Sequence, residues 1–480
     1  MYDAIIIGAG VVGCSVAAYL SRYEMNLAVL ERENDVAMGS TRANSAIVHA
    51  GYDPLPGTLM AKYNVRGSML YPQLCKKLSV PYQQIGSLVL AFSPQEDQVV
   101  RDLYDRGVKN GVSGLQILTK EQALAKEPNL SEQITSALYA PTGAIVSPWE
   151  FAIAMAENAN QNGTAFFFDH PVTGIEKIEG GYRITAGGDT FESRIVINAA
   201  GTHADQVNDM VAPHTFSILP NKGQYYVLDK NQSGVVHSVI FQCPSKVGKG
   251  VLVSPTVHGN LIVGPDAVDV ASPDDCSTDR EGLQFVVNQA MRSTSKFQLR
   301  EAIRNFAGVR AHSDQDDFII GPVEGFPGFF NLAGIKSPGL TSAPAIGEDM
   351  IRILKENGFS FSPKDQVVET RDVVVFHNLD HQQRAEMVKK NPLYGRVICR
   401  CETITEGEIV DALHRPLPPH TIDGIKRRCG CGLGRCQGGF CGPRVQEIIA
   451  RELGIPYMAV EKDKTGSYII LAETKQGGVK

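Results

Sequence analysis

The feature that most constrains this chain stands at its very start. A short apolar run, Tyr2 to Ile7, meets the turn sequence Gly-Ala-Gly-Val-Val-Gly at Gly8, Gly10 and Gly13, and a helical stretch runs from Cys14 to Ser21. A buried strand, a glycine turn and a helix in that order leave few architectures open. Gly8 suits the tight turn, Gly10 lets the backbone approach a pyrophosphate, and Gly13 lets the helix pack on the strand. The helix N-terminus then turns its partial positive charge toward phosphate. A second strand, Asn26 to Leu30, ends at Glu31, eighteen residues past Gly13, where a carboxylate can accept from ribose hydroxyls. The chain therefore opens as a Rossmann-like α/β unit.

At 480 residues it is too long for one small core, so several domains are expected. A hydrophobic content of 43% with 20% charged residues describes an ordinary globular protein, and a net charge of −6 gives no reason to expect nucleic acid or an anionic membrane. No apolar run reaches the roughly 20 residues that span a bilayer. Ala4 to Ile7 is too short for a signal-peptide core, so the expected location is cytoplasmic.

Strand signals follow at Ser87 to Phe92, Ala165 to Phe168, Val172 to Ile178 and Tyr182 to Ala186, with helices at Gln95 to Asn110 and Pro148 to Asn160. Phe191 to Gly201 reads as a buried strand running into the small-residue turn Asn198 to Gly201. Residues 211 to 300 are strand-rich, with segments at Gly223 to Leu228, Val235 to Phe241, Gly250 to Val253 and Leu261 to Val263, and predict an antiparallel second lobe. Phe329 to Gly334 returns as a strand, Ile335 to Thr341 as a loop and Ser342 to Glu356 as a helix; 357 to 395 reads as a polar connector. Only one nucleotide fingerprint is present. Small-residue loops at 39–51, 198–201 and 334–341 suit an elongated cofactor, and no second glycine motif offers a nicotinamide site. Reducing equivalents then need another way out.

The C-terminal cysteines supply one. Six of the ten fall between positions 399 and 441, while Cys14, Cys75, Cys243 and Cys276 are scattered. Clustered thiols in a reducing compartment favour metal over disulfide. Cys399 and Cys401 form a CxC pair, and Cys436 and Cys441 a CxxxxC pair among turn glycines. Such a set suits an iron–sulfur cluster or tetrahedral zinc. Cys429 and Cys431 are left without a task. Around them, Thr405 to Glu408 predicts a capping box ahead of a helix to Leu413. Further helices are expected at Asp423 to Arg428 and Pro443 to Leu453, then a strand and loose tail from Lys462 to Lys480.

Five motifs in order, GAGVVG with Glu31, GSTRANSAIVHAG at 39–51, NAAG at 198–201, GVR at 308–310 and GIKSPGLT at 334–341, resemble the FAD-dependent D-amino acid oxidase superfamily over about residues 2 to 356. The tail is similar to the bacterioferritin-associated ferredoxin-like [2Fe-2S] module. Together they resemble the anaerobic glycerol-3-phosphate dehydrogenases; Val48 to Leu59 also resembles the L-2-hydroxyglutarate oxidases. The resemblance implies a discontinuous FAD-binding domain (1–80, 141–210 and 301–360) interleaved with an antiparallel-sheet substrate lobe (81–140 and 211–300). A connector (361–395), a small helical [2Fe-2S] domain (396–456) and a tail (457–480) follow.

It further implies FAD held by Gly8, Gly10, Gly13, Glu31, Arg32, Ser40, Thr41, Asn44, Ser45, Val172, Ala200, Gly201, Gly334, Gly339, Leu340 and Thr341. A [2Fe-2S] cluster would sit on Cys399, Cys401, Cys436 and Cys441. The implied reaction oxidises a small anionic hydroxy substrate, preferably sn-glycerol 3-phosphate, and passes electrons to a partner subunit; any membrane association would be peripheral, through that partner. His49 is the expected residue at the flavin and the candidate base, since its ordinary pKa near about 6.5 suits proton transfer. Arg310 is the expected anion grip, with Lys336 beside it and Lys222 in support. One departure stands out: the glycerol-phosphate enzymes carry an arginine just after the histidine loop, and here that region reads Gly51, Tyr52, Asp53. Oxidation of L-2-hydroxyglutarate, oxidation of an amine or imino acid, and a metal-handling or redox-sensing role are the alternatives.

Overall fold

The opening run Tyr2–Ile7 pairs in parallel with Leu27–Leu30 on one side and Asp189–Asn198 on the other. That central position buries Ala4 to Ile7 and accounts for an uninterrupted apolar sequence. Ala165–Phe167 and Phe326–Ala333 extend the sheet, again in parallel. The meander Val172–Ile178, Gly181–Ala186 and the start of Asp189–Asn198 adds an antiparallel edge. Helix Val11–Leu20 packs against Pro148–Gln161 and Gly339–Glu356. The structure, a computed structural model, describes residues 1–244 and 250–472. It divides into two units, one of Met1–Arg32 with Val36–Arg371, the other of Glu33–Asp35 with the chain from Asp372 onward.

In the first unit a nine-stranded sheet carries a core on each face. Side chains alternate between them: Val89, Tyr225 and Phe241 belong to one core, Leu88, Leu228 and Ile240 to the other. Ser87–Ala91 and Val239–Gln242 pair in parallel, so the lobe expected to be antiparallel is mixed at that one seam. The two strands lie far apart in the chain, and no hairpin turn dictates their direction.

Two long helices of the first unit escaped the sequence reading. Arg280–Ser293 lies inside the stretch read as strand-rich, capped by Asp279, whose side chain accepts from the Gly282 N–H. Leu59–Lys77 contains Gly67 and Pro72, both poor helix formers. Tertiary contact explains the glycine, since a Cβ at Gly67 would stand 1.9 Å from the Thr341 carbonyl oxygen. The helix expected from Ser342 begins three residues earlier, at Gly339, although Pro344 lies within it. Pro344 cannot donate to the Leu340 carbonyl, and the Tyr71 hydroxyl does so instead at 2.6 Å.

The second unit has helices Glu406–Leu413, Ile422–Cys429 and Gly442–Leu453 around a core that includes Ile404, Ile409, Ile425 and Ile449. The capping box forms as expected between Thr405 and Glu408. The polar stretch read as connector holds a further helix, His381–Lys390, with its own capping box at Asp380 and Gln383. From Lys462 no strand forms among the described residues; Glu461 and Tyr468 make an isolated bridge, and the end of the expected tail, 473–480, lies outside them. Asp35 is buried between Arg427 and Arg428 at 2.8–2.9 Å, and Arg427 also meets Asp463 at 2.7 Å. Burial works to raise the Asp35 pKa, but Arg428 and then Arg427 outweigh it and hold the carboxyl well below its usual range.

Candidate functional site

The glycine turn has the shape the fingerprint demands. Gly8 has φ +104°, and a Cβ there would stand 2.6 Å from the Ala199 carbonyl oxygen; one at Gly13 would stand 2.0 Å from the Gly8 carbonyl oxygen. Above Gly39 the space is open, and a Cβ at Gly10 would meet only Thr41 Oγ1, at 3.5 Å, which leaves a cradle at the N-terminus of Val11–Leu20 for phosphate oxygens. Glu31 Oε2 accepts from the Ala9 N–H at 2.7 Å, and Thr41 Oγ1 accepts from the Val11 N–H at 3.0 Å. Ala200 and Gly201 follow the neighbouring strand, with Gly201 at φ +60°. Val172 and Ala200 pack on the same core. Arg32 reaches His203 Nε2 at 2.9 Å and Asp274 at 2.6 Å.

The small-residue loop from 39 lies directly on the large sheet. A Cβ at Gly308 would stand 1.9 Å from the Ala43 carbonyl oxygen. The Ser40 hydroxyl donates to the Val309 carbonyl at 2.6 Å, and Ser45 Oγ is 3.2 Å from the Tyr225 hydroxyl. Asn44 shapes the bend: its amide donates to the Thr41 carbonyl and its oxygen accepts from the Ala46 N–H, both at 2.8 Å, with Ala46 held at φ +60°.

His49 is pinned by its backbone. Its N–H donates to Thr341 Oγ1 at 2.9 Å and its carbonyl accepts from the Asn64 amide at 2.7 Å. The ring stacks on Phe241, with centroids 5.7 Å apart, and Nε2 lies 3.4 Å from Ser337 Oγ. His49, Tyr52, Asp53, Phe241 and Pro244 line one cleft. Burial pushes the Tyr52 phenol above its ordinary range, so it stays neutral.

Register separates the other candidates. Tyr225 and Phe306 are partners across the strands Ile218–Leu228 and Ala302–Ser313 and stack at 4.7 Å. Arg310 and its partner Asn221 follow at even spacing on that face, the face of Phe241. The Asn221 side-chain oxygen and the Asp266 carbonyl both accept from Arg310. These anchors, with a longer contact from Nη1 to the Lys222 carbonyl at 3.4 Å, leave other guanidinium N–H groups to grip an anion. Lys222 points to the opposite face and meets Asp275 at 3.1 Å and Ser277 at 3.2 Å. Lys336 lies half-buried in the loop that runs from Gly334, at φ +62°, to Gly339, and its ammonium has no partner among the described residues. Leu340 and Thr341 continue that loop into the helix. The structure thus brings His49, Ser337 and Thr341 together, sets Arg310 on the sheet face shared with Phe241, and turns Lys222 away. Asn64, Asn221 and Phe241 were not anticipated; no local motif marks them, and only strand register and helix packing bring them in.

In the second unit Cys401 Sγ and Cys436 Sγ are 3.7 Å apart on the exposed side. Cys399, Cys431 and Cys441 are buried with their sulfurs within 4.8 Å of one another. Two thiolates on one tetrahedral metal with bonds of about 2.3 Å stand about 3.8 Å apart, so the exposed pair matches a shared iron. Hydrogen bonds from Cys431 and Cys441 hold the Cys399 thiol well below its ordinary range, and donation to Cys399 pushes Cys431 far up. The donor set fits a cluster.

Residues 3–353 match the family described as DAO, FAD dependent oxidoreductase. The chain belongs to that family. Residues 397–451 match the BFD-like [2Fe-2S] binding domain. Over 476 residues, 99% of both chains, it is 51% identical to glycerol 3-phosphate dehydrogenase from Caloramator mitchellensis. It is 33% identical over 362 residues to glycerol 3-phosphate oxidase from Mycoplasma genitalium, covering 73% of this chain and 94% of that one. Among solved structures, the dithionite-reduced L-alpha-glycerophosphate oxidase from Mycoplasma pneumoniae with FAD bound superposes with a TM-score of 0.74 at 30% identity, covering 78% of this chain and 99% of that one. This FAD-dependent oxidoreductase therefore carries two redox groups, FAD in its first unit and a [2Fe-2S] cluster in its second. No helix among its described residues is long and apolar enough to cross a membrane.

Proposed function

We propose that the chain oxidises sn-glycerol 3-phosphate to dihydroxyacetone phosphate and hands the electrons to a separate acceptor, a partner subunit. Bound FAD supplies a hydride acceptor, and the cluster supplies one-electron carriage. The observation that carries the reading is the seating of His49. Its backbone is fixed at both ends, and its ring, stacked on Phe241, lines a cleft with Nε2 beside Ser337 Oγ. A fixed imidazole can take the proton from the substrate hydroxyl at Nε2, with Ser337 Oγ orienting that hydroxyl. Arg310, anchored on Asn221 and Asp266, holds the phosphate through charge-assisted contacts, and Lys336 adds a second positive charge. The relative from Caloramator mitchellensis, alike over both units, supports the same substrate.

A second reading, oxidation of L-2-hydroxyglutarate, is favoured by one observation. The residues after the histidine loop are Gly51, Tyr52 and Asp53, with no arginine for a phosphate, and Asp53 lines the cleft. Anaerobic titration of the flavin spectrum separates the two. Bleaching by sn-glycerol 3-phosphate alone is expected; bleaching by L-2-hydroxyglutarate alone replaces the first reading with the second, and bleaching by neither removes both.

A further inference from the structure

Five thiols, not four, converge in the second unit. A [2Fe-2S] cluster takes four thiolates, two on each iron. Cys401 and Cys436, 3.7 Å apart, are complete for one iron. The buried group of Cys399, Cys431 and Cys441 holds one thiol more than the other iron can use.

We propose that Cys431 is a reserve ligand of the buried iron, interchangeable with Cys441. The inference rests on the [2Fe-2S] reading of this unit. The backbone at the two positions differs in the way an exchange requires. Cys441 is the N-cap residue of Gly442–Leu453, so its main chain is tied to a helix. Cys431 lies between Gly430, at φ +78°, and Gly432, at φ +94°, on the turn that ends Ile422–Cys429. A side chain flanked by two glycines can swing its sulfur by small backbone rotations that a helix-bound residue cannot follow. Nothing crowds Gly432, where the nearest atom to an added Cβ would be Gly438 Cα at 3.7 Å. Cys429 is different. Its thiol donates back to the Ile425 carbonyl at 3.4 Å, along its own helix.

The exchange needs no oxidant. The Cys431 thiol releases its proton to water as its sulfur bonds iron, and the Cys441 sulfur leaves iron and takes up one proton. The cluster keeps its charge and its ligand count. A cluster whose buried iron loses one thiolate is recaptured at once by a neighbour, which slows loss of iron.

The test uses the full chain, purified without oxygen, as wild type, Cys441→Ala, Cys431→Ala and the double variant. Iron and acid-labile sulfide are measured per chain with the EPR spectrum of the reduced cluster, and FAD content reports folding. Cys441→Ala is expected to keep most of its iron and sulfide with a shifted EPR signal, and the double variant to hold about tenfold less. Cys441→Ala as empty as the double variant, or a double variant as loaded as Cys441→Ala, overturns the proposal. If Cys441→Ala loses FAD and does not fold, the decision passes to Cys431→Ala, a small change in the intact fold. Its iron should pass to a chelator about fivefold faster than that of wild type, and an equal rate overturns the reserve role. Wild-type protein holding zinc and no sulfide overturns the cluster reading itself, and the reserve ligand with it.

Discussion

The two units reach their precision by different means. In the flavin unit the decisive contacts are backbone against backbone. Gly308 sits under the loop from Ala43, and Gly67 sits under Thr341, each with a carbonyl oxygen where a side chain would begin. Sheets buried on both faces supply the stability that such close seating needs. The cysteine unit has four short helices among its described residues and a small core, and it draws on buried charge and thiols instead: Asp35 between two guanidiniums, and five sulfurs in two groups. A large core can afford exact shape, whereas a small one relies on ionic and metal staples.

The largest expected effect lies in the small unit. Asp35→Ala leaves two buried arginines short of a partner and should cost about 3–5 kcal/mol, read as a lower temperature of cluster bleaching. A bleaching temperature equal to wild type would end the contrast. The acid response follows from the same carboxyl. Its folded pKa is depressed, so its contribution is present above the unfolded value of about 3.9 and is lost as pH falls through the folded one. The stability of wild type should therefore fall with acid in that window, and the slope should be shallower in Asp35→Ala.

In the flavin unit, Gly308→Ala must displace the loop and should cost about 3 kcal/mol, seen as FAD lost on gel filtration. Retention of FAD at the wild-type level would mean that the close seating is incidental. Arg310→Ala should raise the KM for sn-glycerol 3-phosphate about 100-fold, near 2.7 kcal/mol, with kcat less affected. The smallest effect is expected on the other face of the same sheet. Lys222→Ala removes a pair whose Asp275 carboxylate is one-third exposed and solvent-screened, worth about 1 kcal/mol or less, and KM should stay within a few-fold of wild type. A large KM effect there would bring Lys222 back to the substrate.

What was legible in the sequence was local. The glycine fingerprint with Glu31, and the capping box at Thr405 and Glu408, declare themselves within a few dozen residues because their partners are near in the chain. Parity was not legible. Arg310 and Lys222 were both expected at the substrate, and only the pairing of Asn221 with Arg310 shows that they face opposite ways. The helix Leu59–Lys77 was hidden because Gly67 obeys a contact with a residue far along the chain rather than helix propensity. The place of Cys431 was hidden for a related reason. Spacing favoured the CxC and CxxxxC pairs, while the turn between Gly430 and Gly432 brings a fifth sulfur beside Cys399.

Asp35 also bears on how this protein can be cut. Three residues from the first forty, Glu33–Asp35, belong to the unit otherwise built from Asp372 onward. A gene fragment beginning at residue 372 would encode every cysteine ligand and still omit the carboxylate that Arg427 and Arg428 enclose. The boundary of the module is not a point on the chain, so neither a fusion partner nor a stop codon can be placed there without taking a stitch from the other end.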